Sequence, residues 1–121
     1  MNDQSRIRVL VVNDVRLMGD LVVSALETAA DMAVVANVCT AEETTVHLAH
    51  CDIVLMSPRL GDLDALQLTK TLSEAAPDVK VAILGLAESK VKVLKYLEAG
   101  AAGYICEDDS VGELIAKIRA L

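Results

Sequence analysis

The feature that most constrains this chain is an alternation. Five short apolar runs are separated from one another by segments with helical spacing. The runs are Ile7–Val12, Val34–Val38, Ile53–Met56, Val79–Leu84 and Gly103–Cys106. Each has strand length, and most are rich in β-branched residues. Between them, apolar positions recur every three or four residues. Leu17, Leu21, Ala25 and Leu26 predict the apolar face of a first helix. Val46 and Ala49 mark a second helix more sparsely, and Leu66, Thr69 and Leu72 a third. Leu94 and Leu97 mark a fourth, and Leu114, Ile115 and Ile118 a fifth. Strand then helix, five times over, predicts an α/β fold: a doubly wound parallel sheet covered by helices on both faces.

The helix ends agree with this parse. Thr40 with Glu43 and Ser110 with Glu113 have capping-box spacing, and Asp64 with Gln67 is a weaker version of the same device. Gly100 is placed to stop the fourth helix. Pro77 falls between the third helix and the fourth strand, where neither needs its missing N–H.

Composition narrows the function. At 121 residues and 54 % hydrophobic, the chain can bury one core, so residues 1–121 are read as a single domain. Tyr96 and Tyr104 are its only aromatics, which argues against binding single-stranded nucleic acid by base stacking. Eleven basic against 18 acidic residues give a net charge of −7, which opposes nucleic-acid binding through the overall field. Cys39, Cys51 and Cys106 are odd in number and form no C-x-x-C pair, a pattern that suits a reducing cytoplasm. The apolar run near the N-terminus is too short for a signal peptide or a membrane span, so a cytoplasmic protein without membrane contact is expected. His47, His50 and Cys51 have a spacing that could bind a transition metal, but such residues more often end a helix. No phosphate loop is present in Gly100–Gly103, and no nucleophile, base and acid group together, so no enzyme is expected.

In an open parallel sheet, a site forms beyond the carboxyl ends of the strands. The residues there are Asn13 and Asp14, Ser57 and Pro58, Gly85 and Leu86, and Glu107 and Asp108. Oxygen ligands for Mg²⁺ could come only from Asp14, Glu107 and one of Asp62 or Asp108. Asp14 has a second reading, as the N-cap of the first helix, and this one is favoured.

Three segments carry a family resemblance over essentially the whole chain: Val11–Asp14, Asp52–Asp64 and Leu97–Ile105. Together they resemble the receiver domain of a two-component response regulator, of the subtype usually joined to a C-terminal helix-turn-helix domain. The resemblance implies a flavodoxin-like sheet of order 2-1-3-4-5, with the effector domain absent from this chain. It also implies a phosphoacceptor pocket, and the residues depart from that pattern. The family's acceptor Asp is Ser57 here, and the first of its two Mg²⁺-binding acids is Asn13, leaving Asp14. The Ser or Thr after the fourth strand is Gly85, and the Lys after the fifth is Glu107. A serine hydroxyl cannot form an acyl phosphate. The expected function is therefore that of a pseudo-receiver controlling a transcriptional regulator without phosphorylation, through dimerisation or a partner or ligand. The alternatives are a stand-alone adaptor, or an ordinary receiver into which Ser57 was introduced.

The resemblance makes Tyr104 the switch aromatic, expected here in one fixed rotamer because Gly85 lies opposite. No cofactor is expected beyond weak residual Mg²⁺ at Asp14. A homodimer is expected, through the fourth-helix side or through the first and last helices. Lys90, Lys92 and Lys95 either form a solvated face or meet acids such as Asp108 and Asp109 of a second copy. A sensor kinase or another protein is the further partner implied, with DNA reached only through the effector domain.

Overall fold

The computed structural model describes residues 6–58, 64–86 and 90–121. The strands are β1 (Ile7–Val12), β2 (Met32–Val38), β3 (Ile53–Met56), β4 (Lys80–Leu86) and β5 (Gly103–Cys106). The helices are α1 (Arg16–Glu27), α2 (Ala41–His47), α3 (Ala65–Ala75), α4 (Lys90–Glu98) and α5 (Val111–Ala120). A 3₁₀ turn, Leu48–His50, extends α2 and leads into buried Cys51. All strands are parallel, in the order β2-β1-β3-β4-β5, as the resemblance implied.

The two faces of the sheet make two cores. Leu10, Val12, Val54, Met56, Val81 and Ile83 point toward one layer, where Leu68 and Leu72 of α3 pack. Val9, Val11, Ile53, Leu55, Ala82 and Ile105 point to the other, against Leu26 of α1 and Leu114 and Ile118 of α5. Val9 to Val12 and Val54 to Met56 are completely buried. Each such side chain stabilises the fold by roughly 1.5–3 kcal/mol relative to exposure, which is why an aliphatic core suffices here.

The side-chain caps predicted at Thr40, Asp64 and Ser110 are present. Ser110 and Glu113 form a reciprocal capping box, and Thr40 Oγ1 accepts from Glu43 N at 3.1 Å. Asp64 accepts from Leu66 N and Gln67 N. Gly100, at φ 109°, ends α4 with Gly100 N donating to Leu97 O and Ala101 N to Tyr96 O, a Schellman closure.

Three helix faces differ from expectation. On α1, Leu17 and Leu21 are 68 % and 56 % exposed, and the packed face is Gly19, Val22, Val23 and Leu26. On α2, Val46 is exposed and Thr44 is buried, its hydroxyl donating to Thr40 O. On α4, Leu94 and Leu97 are exposed, and Val93 and Tyr96 pack on the core. The reason on α1 is steric. Asn37 of β2 rises toward the helix and donates from Nδ2 to Asp20 Oδ1 at 2.8 Å. Glycine at position 19 makes room for it, since a Cβ there would overlap the Asn37 amide and force that side chain to turn.

At the amino edge of the sheet, two bidentate ion pairs tie distant segments together. Arg8 donates from Nε and Nη2 to Asp52, and Arg119 of α5 does the same to Asp31. The Arg8 side-chain hydrogen bonds are the largest cause holding the Asp52 carboxyl below the ordinary aspartate value of 3.8, and Arg119 acts likewise on Asp31.

Two outcomes follow. Gly19→Ala should cost no more than about 1 kcal/mol in urea unfolding, since the Asn37 amide can turn aside with loss of its hydrogen bond to Asp20 while alanine favours the helix. A depressed carboxylate pKa gives stability that is present above the unfolded value and lost as pH falls through the folded one. The urea midpoint should therefore hold above about pH 5 and decline as pH drops through 3.8 and below. In an Asp31→Asn, Asp52→Asn double variant, that acid-side decline should be shallower.

Candidate functional site

The parallel arrangement brings the carboxyl ends of β1, β3, β4 and β5 to one edge. Ser57 N donates to Val12 O at 2.9 Å, which sets the residue after β3 beside the end of β1. A cleft of about 820 Å³ opens above this edge. Asn13, Asp14, Ser57, Gly85 and Glu107 all line it, so the five strand-end positions do converge. Asp108 is exposed and does not line it. Asp62 lies outside the described residues. Among the described residues, no three His, Cys, Asp or Glu side chains are grouped to hold a metal ion, and His47, His50 and Cys51 make no such group.

The turn from β1 to α1 corrects one expectation. Asp14 does not cap α1, whose N-cap residue is Val15 without a side-chain hydrogen bond. Asn13 performs the local role instead: its Oδ1 accepts from Val15 N at 3.0 Å, closing an Asx turn. Asn13 is buried and Asp14 is exposed at the cleft. An amide serves this turn as well as a carboxylate would, and it carries no charge into the buried position.

Gly85 differs from a deleted side chain. Its φ is 75°, in the left-handed region, and it is the extra residue where pairing shifts from Leu84↔Ile105 to Leu86↔Cys106. A Cβ there would meet nothing within 4 Å. The requirement for glycine is thus conformational, and the space above it belongs to the cleft.

After β5, Glu107 is exposed, and the neighbouring Asp109 does the local work. Its Oδ2 accepts from Cys106 N at 2.9 Å and from Lys117 Nζ at 2.5 Å. The Lys117 hydrogen bond is the main cause that holds the Asp109 carboxyl below its usual range. The same ammonium lies 5.6 Å from the centre of the Tyr104 ring, within cation–π distance. Tyr104 is half-buried against the core on the α3 and α4 side. A lysine of α5 therefore reaches round the edge strand and sits on the ring.

Sequence reasoning did not place four further residues here. Lys92, Lys95 and Tyr96 of α4 line the cleft, and Lys117 meets Asp109 from a full two turns along α5. Asp109 precedes α5 and Lys117 lies in its last turn, so no i, i+3 or i, i+4 spacing marked this pair. Burial, and then the Asp64 charge, push the Tyr96 phenol up.

A family model for the response regulator receiver domain matches residues 9–119. Response regulator GacA of Pseudomonas viridiflava is 30 % identical over 115 residues, covering 93 % of this chain and 54 % of that protein. Transcriptional regulatory protein DegU of Brevibacillus brevis is 25 % identical over 126 residues, covering 53 % of its length. The chain thus spans about half the length of these relatives. Among solved structures, a LuxR-family two-component response regulator from Aurantimonas sp. superposes with a TM-score of 0.88 at 25 % identity. That match covers 96 % of this chain and 84 % of the other. A CheY-like receiver domain protein from Methanospirillum hungatei gives 0.83 at 24 % identity, over 96 % and 93 % of the two chains, and supports the fold alone.

The left-handed backbone at Gly85 makes a direct prediction. Gly85→Thr should cost about 1–2 kcal/mol through backbone strain, its Cβ meeting no neighbour. Urea unfolding measures it. Gly85→Asn, which tolerates this conformation better, should recover part of the loss.

Proposed function

The chain belongs to the response regulator receiver domain family, and from that premise we propose that it is a pseudo-receiver, a regulatory module that works without phosphorylation. The observation that carries this reading is Ser57, which lines the cleft at the position where the family resemblance places an Asp acceptor. A serine hydroxyl lacks the carboxylate that attacks a phosphodonor to give an acyl phosphate. The surroundings agree with the loss. Asn13 is engaged in a turn, Gly85 has no hydroxyl, and Glu107 brings a negative charge where a phosphoryl group would need a positive one. Asp14 is the one acid left from the expected metal pair, which supports at most weak Mg²⁺ binding.

Gly85 also weighs against an ordinary receiver altered only at Ser57. A Thr or Ser restored at position 85 would sit in a strained backbone, so the cleft differs in shape as well as in one side chain. Tyr104, held under Lys117 by the Asp109 pair, fits a ring kept in one rotamer.

On this reading the domain is non-enzymatic and cytoplasmic. Among the described residues no helix is long and apolar enough to cross a membrane. Its relatives include transcriptional regulators, so it would serve a regulator whose DNA contacts lie in an effector domain. It would act as a homodimer. Exposed apolar groups stand on both candidate faces: Leu17 and Leu21 of α1 with Val111 of α5, and Val91, Leu94 and Leu97 of α4. A sensor kinase would then be a docking partner and no longer a phosphate source.

The test is to treat the chain with acetyl phosphate and Mg²⁺. Intact-mass spectrometry should show no phosphoryl adduct, and sedimentation should give the same dimeric mass before and after. An aspartyl phosphate, or a dimer that forms only on treatment, would overturn the reading.

A further inference from the structure

The cleft extends well past the strand ends. On one side it descends between α1 and α5, where Met18, Val22, Leu84, Ile105, Val111 and Leu114 form an apolar trough. Val22, Leu84 and Leu114 belong to the core packed under those two helices. On the other side it reaches α4, where Tyr96 packs on the opposite core. The cleft therefore crosses the carboxyl edge from one face of the sheet to the other. Its volume of about 820 Å³ lies in the range of small-molecule sites.

Among the described residues, the unpaired charges around it fall in two groups. Lys92 and Lys95 stand on the α4 wall. Asp14 and Glu107 stand at the ends of β1 and β5. Among the described residues none of these four is in an ion pair, whereas the third acid of the lining, Asp109, is neutralised by Lys117. A simple anion seated here would meet Asp14 and Glu107. A simple cation would meet the two lysines. A head group with both charges is matched at both walls, and an apolar body is needed to fill the trough.

We propose that the cleft binds a small amphipathic zwitterion, with an ammonium toward Asp14 and Glu107, a carboxylate toward Lys92 and Lys95, and an apolar body between α1 and α5. This deepens the pseudo-receiver reading and rests on it, because a working phosphorylation pocket would occupy the same mouth. It assigns Lys92 and Lys95 a recognition role and gives the trough an occupant.

The test is an amide NMR titration of this chain with the dipeptide leucyl-leucine, using hexanoate and hexylamine as single-charge controls. Saturable shifts are expected at Val22, Leu84 and Leu114, with the dipeptide binding about tenfold more tightly than either control. In a Lys92→Gln, Lys95→Gln double variant, dipeptide affinity should fall about tenfold while hexylamine binding is kept. Val22→Phe, which fills the trough, should abolish dipeptide binding, and dispersed amide spectra report that each variant is folded. No saturable shift, equal binding of either control, or unchanged affinity in the lysine variant would each overturn the proposal. The acetyl phosphate experiment is read independently, so a failure of this proposal is distinguished from a failure of the pseudo-receiver reading on which it rests.

Discussion

Val9–Val12 of β1 lie in parallel register against Ile53–Met56 of β3, and no side chain of either segment is more than 4 % exposed. Strands buried on both faces need a helical layer on each side, and parallel strands need crossovers long enough to hold those helices. The same pairing decides where chemistry can occur. Because β1 and β3 run the same way, Asn13 and Ser57 leave the sheet side by side, with Ser57 N bonded to Val12 O. The cleft is a consequence of the core: it opens where the buried strands end and polar residues begin.

Much of this was legible in the residues. The five apolar runs predicted the strands to within two residues at each end, and the spacing of Ser110 with Glu113 and of Thr40 with Glu43 located helix starts. The faces of α1 and α4 were not legible, for a specific reason. Each helix carries apolar residues on two faces, and periodicity alone favoured Leu17 with Leu21 and Leu94 with Leu97. The face chosen on α1 is the one containing Gly19, where Asn37 rises from β2 against the helix. A glycine opposite a polar side chain leaves no hydrophobic signal. The strand-end positions of the site were readable from topology, yet the roles of Asn13 and Asp14 were exchanged. Both residues favour turns, and only the fold decides which oxygen meets Val15 N. Lys92, Lys95 and Lys117 were unreadable as site residues because their contacts depend on where α4 and α5 come to lie.

The shortage of aromatics has a structural counterpart. Aliphatic packing fills the sheet faces completely, as the buried residues of β1 and β3 require. At the carboxyl edge, between α1 and α5, the facing side chains are Val, Met, Ile and Leu, and they leave a trough. Neither of the two tyrosines closes it. Tyr104 turns to the α3 and α4 side beneath Lys117, and Tyr96 stands on the far wall. The acid excess is likewise uneven. Asp31 and Asp52 are held in ion pairs at the amino edge and Asp109 by Lys117, so among the described residues Asp14 and Glu107 give the cleft its negative side.

These placements bear on how such a domain could signal without phosphate. A receiver that works through a moving aromatic needs a hydroxyl after β4 and a ring free to turn. Gly85 offers no hydroxyl, and Lys117, fixed by Asp109, occupies the space over the Tyr104 ring. A route that leaves the sheet still is more economical here. Val15, Met18 and Val111 line the cleft and are also about half exposed on the outer surface of α1 and α5. Val15 and Met18 adjoin Leu17 and Leu21 along the chain, on one of the two faces proposed for the dimer. An occupant of the trough would press on the same side chains that a second copy would meet there. Coupling between ligand and assembly would then require only repacking within one layer of side chains, with no movement transmitted through the completely buried strands beneath.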